Sequence, residues 1–404
     1  MRILLGPGLN TPQGTEAFFV QALRRHADVV SFDDTFGHIE ELWPNLPAGW
    51  EPDVVLVRDS EFYLMPEDLQ RVPCPIVGLI GDYNLSLGRL LPVMGVFDHF
   101  LCDTKGVRFF QKLGLENCEF FCLYGHDPGL HQPFSGPKDL DVVFVGSLDP
   151  NVQTIRERFV CRIARLHPRL RVVVAEQVFD QDYATLLGRS HLVFNRSIRD
   201  EANMRFFEGG ACGSVVMNNP LEELALLGFE PDRDYLAYDD PEEAIDRFFS
   251  LSPAQREEFQ HNVQASLVGH SYDDRAQQLI ARLETLALDP SRRRLSQLSP
   301  ADQKRRWEIY RKPSITTRTG ERYDDDTDLV RWQRGLLEDE LEVNSLDTGR
   351  WMWFLDLLDA SGLDGAIAEF AGARARFLEP FPVHQELRQE LAALAEIAAA
   401  RIAA

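Results

Sequence analysis

The sequence lacks any apolar run approaching the roughly 20 residues that span a bilayer. Its opening, Met1-Arg2-Ile3-Leu4-Leu5-Gly6, is too short for a signal-peptide core. The expectation is a cytoplasmic chain with no transmembrane segment. Positive charge is also short: 42 Lys and Arg stand against 64 Asp and Glu, a net charge of −22. A chain whose main task is gripping nucleic acid or anionic membrane needs a basic surface, so both classes are excluded. Cysteine is sparse, with six in 404 residues. Cys118 and Cys122 are spaced C-x3-C, but no second Cys or His pair lies at zinc spacing. No metal site is expected, and all six cysteines read as buried thiols in a reducing compartment. The G-x-G-x-x-G fingerprint of dinucleotide binding is missing too, since Gly6, Gly8 and Gly14 do not match its spacing.

What is present is ordinary globular composition, 44% apolar and 26% charged, at a length that predicts two or three domains. Short apolar runs alternate with helix-period stretches. Val54-Val55-Leu56-Val57 and Ile76-Val77-Gly78-Leu79-Ile80 read as strands buried on both faces of a parallel sheet. The spacing predicts helices over Thr15–His26 and Lys105–Leu113. The alternation predicts a doubly wound α/β domain over 1–133. Pro133-Phe134-Ser135-Gly136-Pro137 reads as a linker. A second strand–helix series then fills 138–288. A linker from Asp289 to Pro300 leads to a region of helical pattern only, 299–404, with a polar loop near Ser314–Thr327. The prolines Pro380 and Pro382 split its end into a hairpin similar in shape to a tetratricopeptide unit, without a convincing second copy. Asp240-Pro241, Ser252-Pro253 and Ser299-Pro300 mark capped helix starts.

Arg199–Pro220 is the most informative segment. It leaves a strand and becomes a helix near Asn203. Bare NH groups and the positive dipole end at a helix start can hold a diphosphate. Arg205 in the first turn adds a charge-assisted contact, and Glu208 one turn later can accept from ribose hydroxyls. Gly209, Gly210 and Gly213 let the helix lie close to sheet or ligand. An amphipathic helix with a surface Arg–Glu pair would show the same periodicity.

Asp200, Glu208 and Ala211-Cys212-Gly213 together resemble the donor-binding signature of GT-B glycosyltransferases, an acid and a Glu separated by seven residues. The resemblance is to the group 1, CgeB-like (spore-maturation protein-like) branch and extends over most of the first 290 residues. Phe144-Val145-Gly146-Ser147-Leu148 followed by Arg156 is similar to the opening of that family's donor domain. Tyr124-Gly125-His126-Asp127-Pro128 is similar to the end of its acceptor domain. Phe229-Glu230-Pro231, Tyr238-Asp239-Asp240 and His270–Arg275 are similar to its closing stretch. The resemblance implies a GT-B fold: two Rossmann-like domains facing a cleft, an acceptor domain and then a nucleotide-sugar donor domain, here with a helical extension. It implies donor binding by Gly146, Ser147, Arg156, Asn203, Met204, Arg205 and Glu208. The first acid lies near the transferred sugar, and Asp200 or its neighbour Glu201 fills that role. No cofactor is implied beyond the donor substrate, and no DxD-type metal site stands in the expected place. Arg205, Arg156 and Arg196 would then neutralise the leaving diphosphate without a metal.

Asp82, after the strand ending at Ile80, is either a general base or a helix cap. Gly6 and Gly8 face the cleft from the acceptor side or form a tight turn, and His126 either contacts substrate or serves structure. Lys105 reads as a surface residue, and Asp324-Asp325-Asp326 as a solvated loop. Of the six tryptophans, Trp307, Trp332, Trp351 and Trp353 fall in the extension, as core aromatics or as an acceptor surface. The leading expectation is a metal-independent glycosyltransferase acting on an unidentified small molecule, glycan or protein. The rivals are a catalytically silent GT-B scaffold working through its tail, and a nucleotide-sugar epimerase on the same frame.

Overall fold

The computed structural model describes residues 1–7, 15–58, 60–148, 150–197, 200–311 and 348–403. Gly8, Trp332 and the acidic run Asp324–Asp326 lie outside the described residues. Six parallel strands form the first sheet: β1 (Arg2–Gly6), β2 (Asp28–Ser31), β3 (Val54–Arg58), β4 (Ile76–Leu79), β5 (His99–Cys102) and β6 (Cys118–Phe120). Their order is β2-β1-β3-β4-β5-β6. The helices among them are α1 (Thr15–His26), α2 (Ile39–Leu42), α3 (Tyr83–Leu90) and α4 (Thr104–Lys112).

A second parallel sheet follows: β7 (Leu140–Val145), β8 (Val172–Ala175), β9 (Ser190–Phe194), β10 (Val215–Asn218) and β11 (Leu236–Ala237), in the order β11-β10-β9-β7-β8. Its helices are α5 (Pro150–Ala164), α6 (Asp180–Gly188), α7 (Met204–Ala211), α8 (Glu222–Leu226), α9 (Pro241–Ser250) and α10 (Pro253–Ser266). Then come α11 (Tyr272–Thr285), α12 (Pro300–Tyr310), α13 (Thr348–Ala360), α14 (Asp364–Phe377) and α15 (Gln385–Ala403).

The apolar runs divide their side chains between two faces, as a period of two requires. In the first sheet Leu4, Val55 and Val57 join one core layer, while Ile3, Leu5, Val54 and Leu56 join the opposite one. In the second, Val143 and Val145 pack against α6 and α7, while Val142 and Phe144 pack against α5 and α9. Helix starts are fixed locally. Asp240 accepts from the Glu242 and Glu243 amides, Ser252 and Gln255 form a capping box, and Ser299 accepts from the Asp302 amide. Gly209 sits where a side chain would press on Val193 and Val216, which brings α7 close to the sheet.

Two packing relationships differ from the chain-order reading. The expected second domain, 138–288, includes α11, yet α11 crosses back to the first sheet. Tyr272, Ala276, Leu279 and Leu283 complete the core with Ile3, Leu5, Phe19 and Leu23, and Arg25 pairs with Asp273 at 2.8 Å. The expected extension, 299–404, is likewise no separate module over its described part. Trp307, Tyr310, Trp351 and Phe354 are buried in one core with Leu87, Val93 and Phe97 of the first domain. Trp353 is half-buried against the same core. Apolar faces of α11, α12 and α13 would otherwise meet water, so burial overrides sequence proximity. The thiols are free, but Cys161 is exposed and Cys74 only half-buried, against the expectation of six buried ones. No described helix is long and apolar enough to cross a membrane.

Candidate functional site

The carboxyl ends of the two sheets face each other. In the second sheet the chain order reverses between β7 and β9, and open α/β sheets bind ligands at such a switch point. There a cleft of about 420 Å³ is lined by Gly146 and Ser147 after β7, by Glu176–Asp180 after β8, and by Tyr183, Met204, Arg205 and Glu208. Phe18 and His131 close it from the other side.

Arg205 is buried in the crevice itself. Its Nε donates to Val145 O at 2.7 Å and its Nη1 to Asn195 Oδ1 at 2.8 Å, and its guanidinium lies 4.7 Å from the Phe144 ring centroid. A Cβ on Gly146 would overlap Arg205 Nη2, so only glycine leaves room for the cation. Arg156 is buried behind it and donates to Arg196 O at 3.1 Å. Burial, and next the charge of Arg205, push Arg156 down to about 9. Two cations crowded in low dielectric are a site built for an anion. Asn203 occupies the N-cap of α7 without capping it. Its buried amide has neither Nδ2 nor Oδ1 hydrogen-bonded. An orphan amide at a helix N-terminus fits the oxygens of a phosphate.

Glu208 is buried one turn along α7. Its Oε2 accepts from Tyr183 Oη at 2.8 Å, and its Oε1 stands 3.8 Å from His131 Nε2. Burial pushes the Glu208 carboxyl up to about 7. His131 Nδ1 accepts from the Asp127 amide at 3.0 Å, which leaves the ring proton on Nε2, toward Glu208. Burial, and next the charge of His126, push His131 down to about 4. The segment after β8 carries two non-glycine residues at positive φ, Gln177 (57°) in the loop and Asp180 (49°) opening α6. Backbone strain of this kind collects at ligand sites. Between them Phe179 is 60% exposed, a bare ring at the cleft wall. Glu176 Oε1 accepts from the Leu148 amide at 2.7 Å and ties this loop to the Gly146 turn.

The remaining acids lie along the seam between the domains. A narrow crevice there is lined by Gly81, Asp103, Tyr124, Glu201, Ala202 and Glu223. Asp82 takes the N-cap position of α3, but its side chain makes no capping hydrogen bond. Glu201 is buried and accepts from Ser197 Oγ at 3.0 Å. Asp200 is half-exposed at φ 59° and pairs with Lys105 across the seam at 2.9 Å. Lys105 is therefore an interdomain contact and not simply a surface residue. Glu223, buried on α8, is pushed up to about 7 by burial.

The structure thus brings Gly146, Ser147, Met204, Arg205 and Glu208 to one cleft, with Arg156 and Asn203 behind it. His126 lies elsewhere. Its backbone pairs with Ser271, its carbonyl accepts from the Tyr272 amide, and it lines neither crevice, so it holds α11 in place. Gly6 ends β1, where a side chain would strike Phe32. His131, Tyr183 and Glu223 escape a motif search because each reaches its partner from a distant part of the chain. A buried acid beside Leu221 and Leu224 was the single local hint for Glu223.

Residues 138–281 match the family model described as "Glycosyl transferase-like". No curated protein matches the chain. Solved structures do. The sucrose-phosphate synthase of Thermosynechococcus elongatus aligns at TM-score 0.50 and 13% identity over 70% of this chain and 98% of its own. An E. coli structure described as trehalose-6-phosphate bound with UDP-2-fluoro glucose aligns at TM-score 0.53 and 12% identity, over 71% and 100%. A trehalose-6-phosphate synthase, OtsA, gives the same TM-score, identity and coverage. At these identities the likeness shows the fold. Residues 138–281 thus resemble a glycosyl transferase-like domain, and the chain as a whole has the two-domain GT-B fold.

Proposed function

We propose that the chain transfers a sugar from a nucleotide-diphosphate sugar, held at the second sheet, to an acceptor entering from the first. One observation carries this reading: α7 presents Arg205 and Glu208, one turn apart, to a cleft at the switch point of a glycosyl transferase-like domain. The spacing suits a diphosphate at the helix start and a ribose at Glu208. Breaking the sugar–phosphate bond builds negative charge on the leaving diphosphate. Arg205, Arg156 and the NH groups of α7 are fixed donors for it, so the transfer proceeds without a metal. Asp200 and Glu201 stand at the loop before α7, on the side where the sugar would project. Asp82, at the start of α3 in the first domain, is the candidate general base.

The order of the Phe144–Leu148, Asp200–Gly213 and His270–Arg275 segments supports the CgeB-like branch within this reading. The six free thiols support a reducing, cytoplasmic setting. The acceptor is not assigned. The E. coli neighbour is bound with UDP-2-fluoro glucose, so UDP-sugars are the first donors to try.

The test is thermal: a nucleoside diphosphate should raise the melting temperature of the wild type, and Glu208→Ala should abolish the rise. Absence of a shift with UDP, GDP, ADP, CDP and TDP would instead favour a catalytically silent frame. Sugar interconversion without acceptor would mark an epimerase.

A further inference from the structure

We infer that Glu223 is a positioning residue that holds the 200–203 loop, which carries Asp200 and Glu201 into α7, in register with the first domain. This rests on the glycosyltransferase reading for its consequence, though not for its geometry. Glu223 belongs to α8 of the second domain and is 2% exposed. Its Oε1 accepts from the Thr104 amide at 2.7 Å and from Thr104 Oγ1 at 3.1 Å, both on the first turn of α4 in the first domain. Its Oε2 accepts from the Ala202 amide at 2.6 Å. One carboxylate therefore ties together two backbone amides 98 residues apart, one in each domain.

Two exposed ion pairs flank it on the same side of α4: Lys105 with Asp200 at 2.9 Å and Arg108 with Glu222 at 2.8 Å. The first two turns of α4 thus meet three acids of the second domain, with the buried one in the middle. A carboxylate at the start of a helix is favoured by the dipole and by the bare NH groups. Exposed pairs contribute little stability, but a buried acceptor serving three donors is costly to lose. The Ala202 amide is adjacent to Glu201 and to the orphan amide of Asn203. A shift at Ala202 would move both, and a displacement of about 1 Å at a reacting group can cost about 100-fold in rate.

Glu223→Gln keeps the volume and places an NH2 against a donor, either Thr104 or Ala202, because both partners donate. Lys105→Glu is the second variant. It sets like charges across the same seam without touching Glu223, and it guards against a folding defect in the first. Each is made in the full chain and followed by amide hydrogen exchange. With a nucleotide sugar that the wild type turns over, kcat and KM are also compared. The expected result is faster exchange, by about tenfold, at both Thr104 and Ala202 while β1 and β7 stay protected. Alongside it kcat falls by about tenfold or more, with donor KM within about threefold. Faster exchange at only one of the two amides, or unchanged kcat with both opened, overturns the proposal. If the wild type turns over no nucleotide sugar, the functional reading fails, and the paired exchange still decides whether Glu223 holds the loop.

Discussion

Tyr183 Oη donates a 2.8 Å hydrogen bond to Glu208 Oε2 in the wall of the cleft, where Glu208 is buried and Tyr183 half-buried. Burial holds the Glu208 carboxyl near 7, well above its unfolded value of 4.5. The carboxyl therefore exchanges its proton near neutral pH. Ribose hydroxyls donate hydrogen bonds, so binding selects the charged carboxylate and must release a proton below pH 7. Nucleoside diphosphate affinity should therefore strengthen from pH 6 to pH 8, with a limiting slope of about tenfold per unit below 7. Calorimetry in two buffers of different ionisation enthalpy measures the released proton. Glu208→Gln should flatten the part of the profile that comes from the protein, leaving only the titration of the ligand's own phosphate. An affinity that strengthens in acid would rule out Glu208 as the ribose acceptor.

Gly146 supports a second expectation. Any Cβ there overlaps the Arg205 guanidinium, which Val145 O and Asn195 Oδ1 otherwise hold in place. Gly146→Ala should expel the guanidinium from the crevice and weaken nucleoside diphosphate binding by about tenfold or more, one strong charge-assisted hydrogen bond. The stability cost of overpacking should stay within about 1–3 kcal/mol, read from urea unfolding. Wild-type affinity in a folded Gly146→Ala protein would show that the phosphates do not meet Arg205 where it now sits.

Much of the frame was legible in the sequence, for physical reasons. Val54–Val57 and Leu140–Val145 are strands because only a two-faced sheet interior accepts such runs, and α1 fills the span its periodicity predicted, Thr15–His26. The Asp200–Gly213 segment led to the cleft because Met204, Arg205 and Glu208 share one helix, whereas Asp200 falls in the loop before it. What stayed hidden depends on contacts between distant segments. Nothing local to Tyr272–Thr285 says that its apolar face completes the first sheet, and nothing near Leu130 says that His131 will stand over Glu208. The reading of Lys105 as a surface residue missed its interdomain role, since its partner, Asp200, is 95 residues away on the other domain.

Charge gives a third prediction. Residues 1–290 carry −19 of the total −22, so the bulk field repels an anionic donor. Affinity must come from the buried cations at the switch point. Arg205→Glu should reduce nucleoside diphosphate affinity by about 100-fold or more, because it replaces a desolvated attraction with a repulsion. Lys304→Glu makes the same change in net charge on an exposed face of α12, and it should alter affinity by less than about twofold at 0.15 M salt. Arg205→Met, which keeps the bulk without the charge, separates lost attraction from lost folding. Equal effects from Arg205→Glu and Lys304→Glu would mean that the donor responds to overall charge and that the proposed pocket is misplaced.

The last prediction concerns the C-terminal helices, which the sequence left open as an interaction module. Tyr310 is buried beneath the loop that follows β3: its hydroxyl accepts from the Met65 amide at 2.9 Å and donates to Tyr63 O at 3.0 Å. Trp307 Nε1 donates to Gln70 Oε1 at 2.9 Å, and Arg89 lies 5.1 Å from the Tyr310 ring while donating to Ser60 O and Glu61 O. Glu61 in turn accepts from the Gly81 amide, next to Asp82. Helix α12 thus braces the loop after β3, which reaches Gly81 at the narrow crevice between the domains. Trp307→Ala should cost about 3–5 kcal/mol, as for other large core aromatics. Tyr310→Phe should cost about 1–3 kcal/mol by leaving the Met65 amide unpaired. A chain ending at residue 299 would expose the apolar layer formed by Leu87, Val93 and Phe97, and it should fail to give a cooperative urea transition. A truncated chain that unfolds cooperatively and still binds nucleoside diphosphate would show that the brace is dispensable, and the helices would have to be explained by an external partner.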